Sequence, residues 1–343
     1  MITKSEIIKI CTEKSTIPIR KLEFDASLYT KTTSKPQSWV DTYFERTKWE
    51  NLNPSKFKSD IIDFITFNYK GDFILDFKCG TSSVCDIFLP EIKVGFKLLG
   101  LFEYSEINVN KNNQLDTWND FESNGYHVVQ VFEDSWNLKE NLVKNRIINI
   151  LGLSNKIYAR KCEVRLVKDN DSIRELINSS HIQGNLGSSI KLGLYHNDEL
   201  VSVMTFGTLR KNLGQVGQSG FYELLRFCNK VGVNVVGGAS KLFKFFIRNY
   251  NPLSIISYAD KCWSSSNCLY TKIGMVKVHD SDPSYFYIIG TRRKGRYGYR
   301  KSVVLDVGFD GKHVGEHVGM IYMGCFRIFD CGTIKFEWKS TQI

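Results

Sequence analysis

The chain has 343 residues, of which 42% are hydrophobic and 24% charged, a composition that excludes an intrinsically disordered chain and allows one or two hydrophobic cores. No stretch approaches the roughly 18 consecutive apolar residues of a membrane helix, and the first residues lack the apolar core of a signal peptide. Nine cysteines form neither a CxxC pair nor a Cys/His quartet, so we expect reduced thiols in a cytoplasm.

The positive charge is concentrated in the second half of the chain. The net charge is +10, yet residues 1–150 carry 19 Lys/Arg against 21 Asp/Glu. Residues 201–300 carry 15 basic side chains and only 4 acidic ones. Such a one-sided field attracts phosphate backbones of any sequence, so we expect double-stranded DNA as the partner and no membrane. A merely solvated basic surface is the alternative.

The first half is predicted to contain an extension and one compact α/β unit. Residues 1–55 are polar and end near NLNPSK, so we interpret them as an N-terminal extension. An amphipathic helix is predicted from Lys56 to a stop at Gly71, followed by strands in VCDIFL and IKVGFKLLGLF. A further helix, the strand HVVQVF and the helix NLKENLVKNRIINILG complete a domain over residues 56–153.

The second half is predicted to form a mixed, mostly antiparallel sheet with helices on its faces. Residues 154–290 contain a helix at 171–179, the strands KLGLYHN and ELVSVMTFG with a turn at Asn197 and Asp198, and the strand YELLRFCNKV. Then follow the helix SKLFKFFIRNY, the strand SIISYAD, a short helix near NCLYTKIGM and the strand SYFYIIG. Residues 291–343 are a basic, aromatic and glycine-rich tail that we expect to pack on this sheet.

The run CDIFLPEIKVGFKLLGLFEYSE, with GYHVVQVFEDSW and NKIYARKC, resembles phage free-standing homing endonucleases whose catalytic domain is similar to the very-short-patch repair nuclease. HIQG, LGLYHNDELVSVMTFG, YELLRFC, VVGGASKL and YMGCFRIFDCGTIKFEW continue the resemblance over about residues 57–343. It implies a restriction-endonuclease-like domain over residues 56–153, DNA as substrate and the cytoplasm of a phage-infected bacterial cell. The expected class is α/β, or α+β, with an acyltransferase-like domain second.

The nuclease motif of that family is degenerate in this chain. Asp86 and Glu106 remain of its catalytic residues, whereas Lys97 and Tyr104 stand where the family has an acid and a histidine. At most one metal ligand remains, and it is Asp86. We expect Lys97 to lie opposite Asp86 and to neutralise its carboxylate. The resemblance therefore implies a DNA-binding protein with a weakened or lost nuclease site and no cofactor. The alternative is an active homing endonuclease that uses Mg²⁺.

The second half resembles the acyl-CoA N-acyltransferase fold. In such enzymes a glycine-rich loop at a helix N-terminus holds pyrophosphate, and Asn234–Ala239 fits that pattern except at its first position. The resemblance implies cofactor contacts at Gly237, Gly238 and Ala239, a general acid at Tyr270 and a base at Glu223 or Asp260. Lys241 could replace part of the missing charge. This gives a second alternative, an acyltransferase-like modifier of nucleic acid; otherwise the glycines serve only tight packing.

Arginine guanidiniums form paired hydrogen bonds with phosphate, and tyrosines stack on bases. The densest run of basic and aromatic residues, from Arg292 to Lys301, is therefore the predicted DNA contact. A solvated loop is the alternative there. The predicted DNA-binding residues are Arg210, Lys211, Arg226, Lys241, Arg292, Arg293, Lys294, Arg296, Tyr297, Arg300 and Lys301.

Overall fold

The computed structural model describes residues 49–209, 219–300, 302 and 315–340. Almost all of the predicted N-terminal extension, and the candidate DNA-binding residues Arg210, Lys211 and Lys301, lie outside this part of the chain. Within it, no helix is both long and apolar enough to cross a membrane. All eight cysteines of this part are free thiols.

The first half forms a four-stranded mixed sheet with helices on both faces. The sheet order is β1-β2-β3-β4, with antiparallel pairs up to β3 and a parallel β3–β4 pair. The elements of this half are α1 (Pro54–Asn68), β1 (Ile74–Cys79), β2 (Ser83–Leu89), β3 (Val94–Leu99), α2 (Asn113–Ser123), β4 (His127–Phe132) and α3 (Glu133–Ile150).

Two apolar layers hold this sheet. On one face, α1 and α3 bury Ile61, Ile65 and Val143 against the strands. On the other face α2 approaches β3 so closely that a Cβ at Gly95 would lie 3.0 Å from the ring of Phe121. Local chemistry explains where α1 starts. The Asn53 side chain accepts a hydrogen bond from the Lys56 N–H, and Pro54 is compatible with the first helical turn.

The second half is built on a seven-stranded sheet in the order β12-β16-β11-β9-β8-β7-β6. A two-stranded sheet, β10-β5, and a three-stranded sheet, β14-β13-β15, flank it. Its helices are α4 (Asn170–Ser180), α5 (Gly238–Tyr250), α6 (Leu269–Lys272) and α7 (Glu316–Tyr322). Its strands are β5 (Asn155–Tyr158), β6 (Glu163–Leu166), β7 (Ile190–His196), β8 (Glu199–Thr208), β9 (Phe221–Asn229), β10 (Val233–Val236), β11 (Ser254–Asp260), β12 (Val276–Asp280), β13 (Tyr285–Ile289), β14 (Arg292–Gly295), β15 (Phe326–Phe329) and β16 (Thr333–Lys339).

Among the described strands of the large sheet, β9 and β11 are the only parallel neighbours, and they diverge after a short ladder. Strands β9 and β11 pair from Phe221–Ser254 to Glu223–Ile256, and each strand then continues well beyond this ladder. Helix α5 packs Leu242 and Phe246 on one face of the sheet, and α4 packs on the other. The divergence therefore leaves an opening between Arg226 on β9 and Asp260 on β11, on the side of the loop that follows α4.

The α/β class with mixed sheets is confirmed by this architecture, but several elements differ from the sequence interpretation. Strand β16, inside the predicted tail, lies between β11 and β12 and pairs with both. It belongs to the sheet because its apolar residues Ile334 and Phe336 are fully buried there. The restriction-endonuclease-like assignment of residues 56–153 is not shown.

Buried ion pairs join the two halves. The Arg293 guanidinium donates to Asp134 at 2.8 Å and to the Ser135 hydroxyl at 2.8 Å. The Arg327 guanidinium and backbone N–H both donate to the Glu106 carboxylate, at 2.8 and 2.7 Å, and the Glu106 N–H donates to the Arg327 carbonyl oxygen at 2.9 Å. These contacts fix helix α3 against the second half, and this position brings Arg146 to the opening of the large sheet.

Candidate functional site

A cluster of polar side chains lines the opening between β9 and β11, and we call it the β9–β11 cleft. Its members come from five separate segments of the chain and all retain solvent-accessible surface. They are Arg146 on α3, His181 after α4, Arg226 on β9, Asp260 at the end of β11 and Tyr270 on α6.

Arg226 and His181 are held by backbone hydrogen bonds. The Arg226 guanidinium donates to the carbonyl oxygens of Gly184 and Leu225, at 2.7 and 2.8 Å. The His181 Nδ1 accepts the Gln183 N–H at 3.2 Å, so the neutral ring carries its proton on Nε2. Burial and the charges of Arg226 and Arg146 lower the pKa of His181 to about 3. The imidazole is therefore a neutral hydrogen-bond donor at physiological pH.

Arg146 belongs to the first half but faces this cleft. Its side chain is exposed to solvent, yet burial is the main influence on its pKa and lowers it, while Tyr270 and Asp260 act in the opposite direction. We interpret the combination of solvent contact and strong desolvation as evidence that the Arg146 side chain lies in a narrow crevice. The backbone of Lys139 is non-helical within α3 (φ −140°, ψ 40°), so the helix bends seven residues before Arg146.

Asp260 and Tyr270 both act electrostatically on the Arg146 guanidinium, and both have raised pKa values. For Asp260 the cause is burial, countered by the Cys262 N–H, which donates to its carboxylate at 2.9 Å. For Tyr270 the cause is also burial, countered by a hydrogen bond with Ser257 and by the two arginines. A phenol that stays protonated and a carboxylate with a raised pKa are the pair that proton transfer to and from a substrate requires.

The predicted cofactor loop lies at the start of α5. Gly237 has φ +78°, a conformation that disfavours side chains, and a Cβ on Gly238 would lie 3.1 Å from Val235 and 3.2 Å from Leu194. Ala239 is buried. The Lys241 ammonium donates to the carbonyl oxygens of Ala159 (2.9 Å) and Cys162. This ammonium therefore holds the Ala159–Lys161 turn beside the loop, and the charge that we expected it to supply for pyrophosphate is engaged there.

The remnant nuclease residues occupy different surroundings from those we expected. Asp86 lies opposite Lys97 by strand register, but its ion pair is with Lys58 at 3.4 Å, and it accepts the Leu98 N–H at 2.6 Å. The Lys97 ammonium turns to the hydroxyl of Thr117 at 2.5 Å and lies 5.2 Å from the Tyr104 ring. The expectation that Lys97 neutralises Asp86 is corrected, because the aromatic ring and the α2 hydroxyl receive that ammonium.

Glu106 does not join Asp86. Its carboxylate accepts from the Arg327 guanidinium at 2.8 Å, and His317 Nε2 lies 3.1 Å from the same carboxylate. Burial alone raises the pKa of Glu106, but these two partners outweigh burial and lower it. No group of three acidic, histidine or cysteine side chains in the described segments is placed to hold a metal ion. Glu106 thus acts as a structural joint between the halves.

The candidate DNA-binding residues of strand β14 and the following turn divide into two sets. Arg293 is committed to Asp134, and Arg296 lies 3.1 Å from Glu316. The other members are exposed, and they are Arg292, Lys294, Tyr297 and Arg300. The exposed fraction of Tyr297 is 76%, and the Arg300 guanidinium lies 4.2 Å from its ring centre.

Sequence reasoning found three of the five cleft residues, since it singled out Arg226, Asp260 and Tyr270. It missed Arg146 and His181. Arg146 is part of an amphipathic helix in which a charged residue normally indicates the solvated face, and no spacing connects it with residues 80 to 124 positions later. The HIQG segment of His181 served only as part of a resemblance.

Comparison with known proteins gives structural neighbours but no family. No family model matches the chain, and no curated protein matches it. A Bacillus subtilis acetyltransferase solved in complex with CoA is similar, with 14% identity, 52% of this chain and 99% of that chain covered, and a TM-score of 0.30. A Staphylococcus aureus N-acetyltransferase has 11% identity, with 52% of this chain and 97% of that chain covered, and a TM-score of 0.25.

These findings correct the interpretation as a bacteriophage homing endonuclease. No family model and no curated protein of that kind matches the chain, and the named structural neighbours are acetyltransferases. The predicted nuclease, pseudo-nuclease and bacteriophage characters are therefore wrong, and a restriction-endonuclease-like fold of residues 56–153 is not shown. Neither an Mg²⁺ requirement nor a catalytic role of Asp86 has support.

Proposed function

We propose that the β9–β11 cleft is an acyl-transfer site that takes an acyl-CoA thioester and passes the acyl group to an amine. The observation that carries this proposal is that Tyr270 and Asp260, both with raised pKa values and both partly accessible to solvent, act electrostatically on the same guanidinium, that of Arg146. The crevice opens where β9 and β11 diverge, and α5 begins at Gly237–Gly238 at the end of the preceding strand β10.

The chemistry assigns one role to each side chain. The amine nitrogen attacks the thioester carbonyl carbon, and the carbon–sulfur bond breaks as the new carbon–nitrogen bond forms. Asp260, whose pKa burial raises, takes the proton that the nitrogen loses. The Tyr270 hydroxyl, kept protonated at neutral pH by its raised pKa, gives a proton to the departing sulfur. Helix amides at the start of α5 favour the negative charge of the carrier.

The test is turnover of acetyl-CoA with a panel of amines, followed by mass spectrometry of the acylated product. Replacing Tyr270→Phe is expected to lower kcat by about 100-fold, the usual contribution of a positioned acid, while acetyl-CoA binding measured by calorimetry is retained. The matched control is Tyr297→Phe, which changes an exposed tyrosine outside the cleft. Absence of both acetyl-CoA binding and turnover in the unaltered protein contradicts the proposal.

A second candidate function is binding of double-stranded DNA, as the charge of the second half predicts. The observation that favours it is the exposed set of Arg292, Lys294, Arg300 and Tyr297 on one short segment. Cationic side chains beside an exposed aromatic ring suit phosphates and sugars of nucleic acid.

For this candidate we expect a gel shift whose affinity falls with salt. Arg292→Ala with Lys294→Ala should reduce the slope of log affinity against log salt by about one unit per lost phosphate contact. The control is Lys78→Ala, an exposed lysine of strand β1 in the first half. A salt slope that is the same in the double variant and the control would remove this segment from the DNA-binding surface.

A further inference from the structure

Two thiols lie in contact where strand β11 leaves the large sheet. The Cys262 and Cys331 sulfurs are 3.3 Å apart, although 69 positions separate the two residues in the chain. Both residues are buried. The sulfurs of a disulfide lie about 2.0 Å apart, so a displacement of about 0.6 Å by each sulfur would bring this pair to bonding distance.

The backbone supports the same pairing. Strands β11 and β16 form an antiparallel ladder that ends at the residue before Lys261. The Lys261 N–H donates to the Gly332 carbonyl oxygen at 3.2 Å, so the register continues by one position beyond the ladder. The next position places Cys262 opposite Cys331. Opposite residues of antiparallel strands have Cα atoms about 4.5–5.5 Å apart, which is a separation that a disulfide spans without strain.

We propose that Cys262 and Cys331 are a site of reversible disulfide formation, with a low-molecular-weight disulfide such as oxidised glutathione as the oxidant. One cysteine thiolate attacks a sulfur of the small disulfide, whose S–S bond breaks and releases one small thiolate. The other cysteine then attacks the protein sulfur of this mixed disulfide, which forms the bond between Cys262 and Cys331 and releases the second small thiolate. The two protons lost by the protein pass to the released thiolates, and the protein loses two electrons as the small disulfide gains them.

Burial makes this pair slow to react in the folded chain. The hydrogen bond with Cys331, followed by burial, raises the pKa of the Cys262 thiol. Burial also raises the pKa of the Cys331 thiol, despite the hydrogen bond with Cys262. Because the thiolate is the attacking species, we expect exchange to begin in locally opened molecules. Burial then shields the completed bond from reductants.

The cross-link strengthens a contact between the two halves of the chain. The pair shares a buried cluster with Leu99 and Phe132 of the first half. The Gln130 N–H on β4 donates to the Cys262 carbonyl oxygen at 2.8 Å. A bond between segments 69 positions apart restricts the unfolded chain, so we expect the oxidised form to be the more stable one. This modification goes beyond the proposed acyl transfer, because no step of that reaction uses a thiol of the protein.

Mass spectrometry of the full chain tests the proposal. The protein is reduced, incubated with oxidised glutathione, treated with iodoacetamide to block free thiols, and digested without reductant. We expect a pair of peptides joined through Cys262 and Cys331, together with a rise of about 5 °C in the thermal-melting midpoint. Reduction with dithiothreitol should separate the peptides and reverse the rise.

Cys331→Ala should abolish both the joined peptides and the rise in the melting midpoint. The matched control is Cys268→Ala, which changes a partly exposed cysteine outside the pair and should retain both effects. If Cys331→Ala does not fold, the peptides of the unaltered chain still decide the outcome. The proposal is overturned if Cys262 and Cys331 of the treated protein carry only the blocking group or are joined to other partners. It is also overturned if folded Cys331→Ala shows the same rise on oxidation as the unaltered protein.

Discussion

Replacing Arg293→Ala is expected to lower the free energy of unfolding by about 3–5 kcal/mol, the usual loss when one member of a buried ion pair is removed. Only 7% of the Asp134 side chain and 16% of the Arg293 side chain are exposed. The Arg293 backbone N–H and guanidinium both donate to Asp134, at 2.8 Å each. The guanidinium also lies 3.7 Å from the Phe132 ring centre, so truncation leaves a buried carboxylate and a void.

Arg292→Ala is the matched control, because Arg292 precedes Arg293 on the same strand and is exposed. Its effect on stability should stay within about 0.5 kcal/mol, as for surface substitutions generally. Urea denaturation of both variants at pH 7 gives the comparison. Asp134→Asn in the Arg293→Ala background should restore part of the loss, since it removes the unpaired charge. Equal stability of the two single variants would mean that the Arg293–Asp134 pair does not hold the halves together.

The two neighbouring arginines show why the sequence alone misjudged part of the basic run. Side chains of successive strand residues point to opposite faces, so Arg292 and Lys294 are exposed whereas Arg293 is directed into the joint. The tract of six basic residues from Arg292 to Lys301 resembles a uniform phosphate-binding surface only if its strand character is ignored. The partner of Arg293 lies 159 residues earlier, and no local pattern indicates such a pair.

Elements with strong local signals were predicted well. The turn between β7 and β8 follows from Asn197 and Asp198, which tolerate left-handed backbone and have φ values of 51° and 61°. Helix α5 is found where apolar residues recur at helical spacing after two glycines. Strand β1 was not predicted, because four of its six residues are exposed, two of them charged, and Asp76 has φ 47°. The position of β16 depends on pairing with β11 and β12, which sequence periodicity does not reveal.

The candidate site was predictable only as far as its residues follow recognisable elements. Asp260 ends a strongly apolar strand, and Tyr270 begins a short helix, so both were singled out. Arg146 reaches the cleft through the bend of α3 at Lys139 and the ion pairs that join the halves. Those determinants act over long sequence separations, and the chemistry of the cleft is therefore a property of the folded chain.

Replacing Lys97→Met is expected to stabilise the protein by up to about 3 kcal/mol at pH 7. Burial lowers the pKa of Lys97 from 10.5 to about 8, and each pKa unit corresponds to about 1.4 kcal/mol. Only 5% of the residue is exposed, so methionine removes the cost of burying the ammonium and fills a similar volume. Thr117 keeps its hydrogen bond to the Asn113 carbonyl oxygen at 2.9 Å, so the substitution leaves that hydroxyl satisfied.

The pH dependence of stability distinguishes the removal of a buried ammonium from a mere improvement in packing. Below pH 8 the lysine is charged in both the folded and the unfolded chain, and the full cost of burial opposes folding. Between pH 8 and 10.5 the folded chain releases its proton first, so the unaltered protein gains stability relative to the variant. We therefore expect the advantage of Lys97→Met in urea denaturation to shrink between pH 7 and pH 9.5. Lys78→Met, at an exposed position of β1, should show no such convergence, and a Lys97→Met advantage that is constant over this range would place its origin in packing.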